Sequence, residues 1–179
     1  IATEAGLATG WSGVNELTQR IYESTGRPLD KVSALRLRLL DRDYESIRGE
    51  VDTLRATSDF TESVNLRTGV ILLEAEIELG LALSLIGKYN DVLEAVGLAT
   101  MNGDTTLLSA KKDEESTLRA QILTYFRKGI AIADEAIGIR PSDPRAYLRK
   151  HTMLQSLNEL QHSESVQADM IENAQLGRD

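Results

Sequence analysis

The chain contains no cysteine among its 179 residues, so no disulfide, thiolate metal site or cysteine nucleophile can be built from it. That absence suits the cytosol and is equally compatible with the periplasm. Aromatic residues make up only 4% of the chain, and a core drawn from its 41% hydrophobic content must be filled by Leu, Ile, Val and Ala. This favours helices over sheets, as does the presence of only 3 prolines. Basic charge is in the minority, with 20 Lys and Arg against 28 Asp and Glu and a net charge of −8. A protein that neutralises nucleic-acid phosphates leans the other way, so nucleic acid is not expected as a main partner. No apolar run approaches the roughly 20 residues needed to span a bilayer. The densest run, residues 79–86, is interrupted by Gly80 and Ser84, so these residues are expected to be soluble and not inserted in a membrane. The first residue is Ile1 and not Met, which is compatible with a leader, anchor or domain upstream.

What the chain does contain is helical periodicity. Residues 12–24 place Val14, Leu17 and Ile21 on one face, with Ser12 as N-cap and Thr25-Gly26 as the stop, after an irregular start around Gly6, Gly10 and Trp11. Beyond Pro28, helical rhythm runs over residues 29–40 and resumes at Tyr44, Ile47, Val51 and Leu54, with a corner expected at Asp41-Arg42-Asp43. Thr57-Ser58-Asp59 supplies capping groups for a long unbroken stretch over residues 61–86. Met101-Asn102-Gly103-Asp104 ends the next helix. Asp113, Glu114 and Glu115 suit a helix N-terminus, where carboxylates complement the unpaired N–H groups, and that helix extends to residue 139. Arg140-Pro141-Ser142-Asp143-Pro144 is the clearest boundary: Pro141 stops one helix, Asp143 caps the next and Pro144 fits its first turn.

Leu79, Gly80, Leu83, Gly87, Tyr89 and Ala99 follow an order of large, small, bulky, turn glycine, aromatic and small residue, and Pro141 closes a later helix. On these residues the chain resembles a tetratricopeptide repeat protein. The resemblance spans about residues 29–175 and is specific at 79–99 and at Pro141. It implies an all-α fold of antiparallel helix pairs stacked as a short, irregular, tetratricopeptide-like solenoid. Residues 1–28 form an N-terminal segment with a short helix, and residues 29–179 form the repeat region, expected as one folded unit with 1–28. It also implies a helix–helix corner at Gly87, Tyr89 packed between the helices, and Leu83 in the core.

No arrangement of catalytic residues emerges. Gly80 and Gly87-Lys88 lack phosphate-loop spacing, Tyr89 stands where a magnesium-binding hydroxyl belongs, and Gly6, Gly10 and Gly13 lack dinucleotide-binding spacing. His151 and His162 are the only histidines and do not share the i, i+4 spacing of a helical metal pair. No Gly-x-Ser-x-Gly elbow occurs. Carboxylates such as Glu74 and Glu78 are read as solvated faces. No catalytic residue, metal ligand or cofactor is therefore expected.

Two basic groups suit recognition of a carboxylate or phosphate: Arg36 and Arg38 within the basic segment 31–48, and Arg145 and Arg149, spaced i, i+4 after Pro144. The expected function is non-enzymatic, an adaptor or scaffold that binds another protein or peptide in a concave helical groove. The alternative is the soluble helical domain of a larger membrane or envelope assembly, serving oligomerisation. Homo-oligomer formation is compatible with either.

Overall fold

The computed structural model describes residues 4–161 and 164–177. His162 and its pairing with His151 lie outside these residues. The described residues form eight α-helices and one 3₁₀ turn, with no strand: α1 (Glu4–Thr25), α2 (Pro28–Arg38), the turn Leu39–Asp41, α3 (Tyr44–Arg55), α4 (Ser58–Glu62), α5 (Val64–Asn102), α6 (Thr105–Ile139), α7 (Pro144–Gln161) and α8 (Glu164–Leu176). The all-α expectation is met. Contacts group the chain into two compact units, residues 1–74 and 75–179, with the boundary inside α5.

In the first unit, α1 begins at Glu4 and runs through Ser12, so the expected cap at Ser12 and the irregular start are not formed. Its end is as expected: Gly26 takes a left-handed φ of 63° and its N–H reaches Tyr22 O at 2.7 Å. Pro28 opens α2, where its missing N–H costs nothing. Arg42 makes the α2–α3 corner with φ 59°, a conformation that L side chains rarely adopt. Thr57 caps α4 by accepting from Phe60 N. Val32, Leu35, Ile47, Val51, Leu54 and Leu66 are buried, and a Cβ on Gly69 would approach Val32 Cγ1 at 3.5 Å, which brings α5 against α2. Val70, Ile71, Leu72 and Leu73 are all buried, so α5 is enclosed round its whole circumference there.

The second unit contains α5 from Ala75 onward with α6, α7 and α8. Gly103, with φ 68°, and Asp104, whose side chain accepts from Leu107 N at 3.0 Å, reverse the chain between α5 and α6. Contacts along the two helices give their antiparallel register: Glu78 with Lys128 Nζ at 2.6 Å, Lys88 Nζ with Glu114 at 3.3 Å, and the Tyr89 hydroxyl with Glu115 at 3.5 Å. Tyr89, Val92, Leu118, Ile122, Phe126 and Met153 belong to one buried cluster, to which Val166 of α8 contributes. Asn173 Nδ2 donates to Tyr147 O at 2.9 Å and ties α8 to α7.

Three expectations are corrected here. The Gly87 corner does not exist, because α5 passes through it without a break and Gly87 has no positive φ. A single glycine inside a helix costs only about 1 kcal/mol, too little to stop a helix whose other side is packed. Leu83 is 50% exposed and is not a core residue, whereas Leu79, Tyr89 and Ala99 are buried. Asp113, Glu114 and Glu115 lie inside α6, which starts at Thr105, and Glu114 pairs with Lys111 at 2.8 Å. A Cβ on Gly87 would meet nothing within 4 Å. Gly87→Ala is accordingly expected to stabilise the protein by about 0.5–1 kcal/mol, read from urea unfolding followed by circular dichroism. A loss of stability would restore the corner.

Candidate interaction surface

The four arginines named from the sequence are occupied within the fold. Arg38 bonds Glu50, Asp43 at 2.8 Å and Ser46 at 2.8 Å, joining α2 to α3 and to the corner between them. Its guanidinium holds the Asp43 carboxyl below the usual range, and its own pKa is raised in return, chiefly by the hydrogen bond to Asp43. Lys31 also reaches Glu50, at 3.4 Å, and Arg36 has a partner as well. The basic stretch 31–48 is thus largely neutralised by acids from α3 and its cap.

Arg145 and Arg149 project from α7 toward different partners. Arg145 folds back onto the buried Asp143, with Nε on Oδ1 at 2.9 Å and NH2 on Oδ2 at 2.6 Å. Arg149 Nε reaches Glu76 Oε1 of α5 at 2.8 Å. Their i, i+4 spacing therefore serves two separate ion pairs. Asp143 also accepts from Arg145 N at 3.1 Å and so caps α7.

The hydrogen bond from Arg145 is the main cause that lowers the Asp143 pKa below its ordinary 3.8. A carboxyl depressed in this way stabilises the fold above its unfolded pKa, and the contribution is lost as pH falls below about 3.8 through the folded value. Asp143→Asn should flatten the melting temperature against pH between about 5 and 2, at the cost of a lower plateau near neutrality. An unchanged acid limb would show that the pair is not a stability element.

Glu74 and Glu78 are likewise not solvated: Glu74 bonds Arg55 within the first unit, and Glu78 is buried against Lys128. The spacing argument missed them because each partner is remote in sequence. Among the described residues no group of three or more His, Asp or Glu is placed to hold a metal ion. In the first unit, an open cleft of about 440 Å³ lies over Pro28, Leu29 and Leu66, with Asp59 and Glu62 at its margin.

Exposed apolar side chains recur on α5. Leu83, Leu98 and Met101 are exposed, Met101 by 83%, while Tyr89, Val92 and Ala99 toward the opposite side are buried; Leu93, also exposed, stands about 140° round the helix from Leu98. Leu83 and Met101 are about five full turns apart and share one line along the helix. Leu107, in the first turn of α6, is exposed as well. These side chains rest on a backbone held by the α6 contacts of Lys88 and Tyr89. The sequence signal for this face is apolar residues at helical spacing, the same signal that a buried stripe gives.

The chain matches no family model, no curated protein and no solved structure.

Proposed function

We propose that the chain is a non-enzymatic interaction module, an adaptor or scaffold that holds a polypeptide segment on a helical face. The observation that carries this reading is the exposure of Leu83, Leu98 and Met101 along one side of a helix whose other side is packed. An apolar face presented on rigid backbone binds with little ordering cost, and a partner helix with apolar residues at i, i+3 or i+4 spacing fits it. The solenoid reading belongs to the same proposal. Its support is the succession of α6, α7 and α8 joined by short connections, with Pro141 at the first of them. Recognition then rests on apolar contact, since Arg145, Arg149, Arg36 and Arg38 are engaged by the framework. Oligomerisation within a larger membrane or envelope assembly is the second reading, and the same exposed row supports it. Among the described residues no helix is long and apolar enough to cross a membrane.

Selection of displayed peptides on the immobilised chain tests the proposal. Enriched peptides should carry helically spaced apolar residues and bind at least about tenfold more weakly to the double variant Leu98→Asp, Met101→Asp, whose circular dichroism should match the parent. Binding that survives both substitutions would remove this face as the site.

A further inference from the structure

In the first unit, the cleft over Pro28, Leu29 and Leu66 joins an apolar floor to an acidic mouth. Its lining comes from residues 27–30 at the opening of α2, from Asp59 and Glu62 of α4, and from Ser63 and Leu66 at the start of α5. It is thus one concavity among helix ends and not a groove along a helix face. Leu66 is buried and Pro28 half-buried, while Leu29 stays 46% exposed. At about 440 Å³ the cleft has the size of a pocket for a small molecule.

Three carboxylates line this cleft against one guanidinium, and their commitments differ. Asp30 accepts from the Thr25 hydroxyl at 2.6 Å and from Arg27 Nε at 2.9 Å, so that pair is settled within the fold. Asp59 and Glu62 are exposed, and no described side chain bonds either carboxylate. They stand three positions apart on α4, which lets both reach one group placed between them. An ammonium, with three donors and no acceptor, matches that arrangement. The two helix starts at the cleft do not oppose it: Ser63 Oγ accepts from Leu66 N at 3.2 Å, and Asp30 lies in the first turn of α2, so acceptors of the fold answer both positive ends. The chain's net charge of −8 adds a field that draws cations and repels anions. The geometry points to this cleft as a binding site for a small organic cation, a primary ammonium on an apolar body, with the body over Pro28, Leu29 and Leu66 and the ammonium between Asp59 and Glu62. The site is independent of the α5 surface proposed above.

Both carboxylates are exposed, so each ionic contact contributes a factor of about five at most and is sensitive to salt. Titration of the full chain, labelled with ¹⁵N, at neutral pH with phenethylammonium, phenethyl alcohol and phenylacetate presents one ring with three charges. The amide signals of Leu29, Ser63 and Leu66 should move saturably with a dissociation constant on the order of 1 mM for the ammonium, at least about threefold tighter than for the alcohol. The double variant Asp59→Asn, Glu62→Gln removes charge at nearly constant size and should bring ammonium and alcohol to equal affinity, with unchanged circular dichroism. Leu29→Ser should weaken both. Equal affinity of the parent for all three compounds, or discrimination that survives the double substitution, overturns the cation assignment. So does ammonium affinity in the parent that is unmoved by about 0.5 M salt. Absence of saturable movement at these amides up to about 20 mM overturns the site. If Nα-acetyl-lysine amide binds more tightly than phenethylammonium, the occupant is a lysine side chain of a polypeptide and the free small ligand is overturned.

Discussion

Phe126→Ala is expected to destabilise the protein by about 3–5 kcal/mol, the range for removing a fully enclosed aromatic side chain. Phe126 is 0% exposed and belongs to the buried cluster that draws on α5, α6, α7 and α8. The cost combines lost transfer energy with the hole left among neighbours fixed by the antiparallel register of α5 and α6. Urea unfolding followed by circular dichroism measures it, with Leu83→Ala as the reference. Leu83 is half exposed, so its truncation should change stability by no more than about 0.5 kcal/mol. Equal effects at the two positions would invert the assignment of the inner and outer faces.

The second large effect is expected at Gly129, where side chains of two other helices pack against α6. A Cβ on Gly129 of α6 would overlap Met153 Sδ of α7 and lie 3.3 Å from Glu78 Cβ of α5. Met153 is fully buried and cannot swing into solvent. Gly129→Ala should therefore cost about 1–3 kcal/mol by overpacking, although alanine is the better helix former. Met153→Ala alone should cost about 2–5 kcal/mol as a cavity. Combined, the added methyl enters the space that the truncated side chain vacates, so the double variant should lose at least about 0.5 kcal/mol less than the two singles together. Strict additivity in a thermal-denaturation cycle would show that the two positions do not touch.

Both predictions concern positions that a linear reading ranks poorly. Phe126 appears in the helical rhythm of residues 113–139, but Gly129 is one of 13 glycines and carries no mark of close packing. Gly87, with Tyr89 two positions on, carries the pattern of a helix corner. The difference between a glycine that turns the chain and one that does not lies in its companions. Gly103 is followed by Asp104, which caps α6, and Pro141 precedes an Asp143-Pro144 pair that caps and opens α7. Gly87 has neither a capping residue nor a proline after it, and the helix continues.

The arginines show the same division. That Arg145 and Arg149 share a helix face follows from their spacing, and Asp143 lies two residues from Arg145, within local reach. Glu76 lies 73 positions from Arg149, and nothing local points to it. Lys128 and Glu78 are separated by 50 positions, so local sequence gives Glu78 no visible partner.

By itself the sequence determined the helical class, the ends of α1 at Gly26 and of α5 at Gly103, the break at Pro141 and the acidic balance, because propensity, capping and turn chemistry act within a few residues. Only the tertiary structure decided which side of α5 faces inward. That helix carries apolar residues round much of its circumference, and periodicity alone cannot distinguish a buried stripe from an exposed one. The choice is made by the partners that α6 and α7 bring from far along the chain: they enclose Tyr89 and Val92 and leave Leu83, Leu98 and Met101 in solvent.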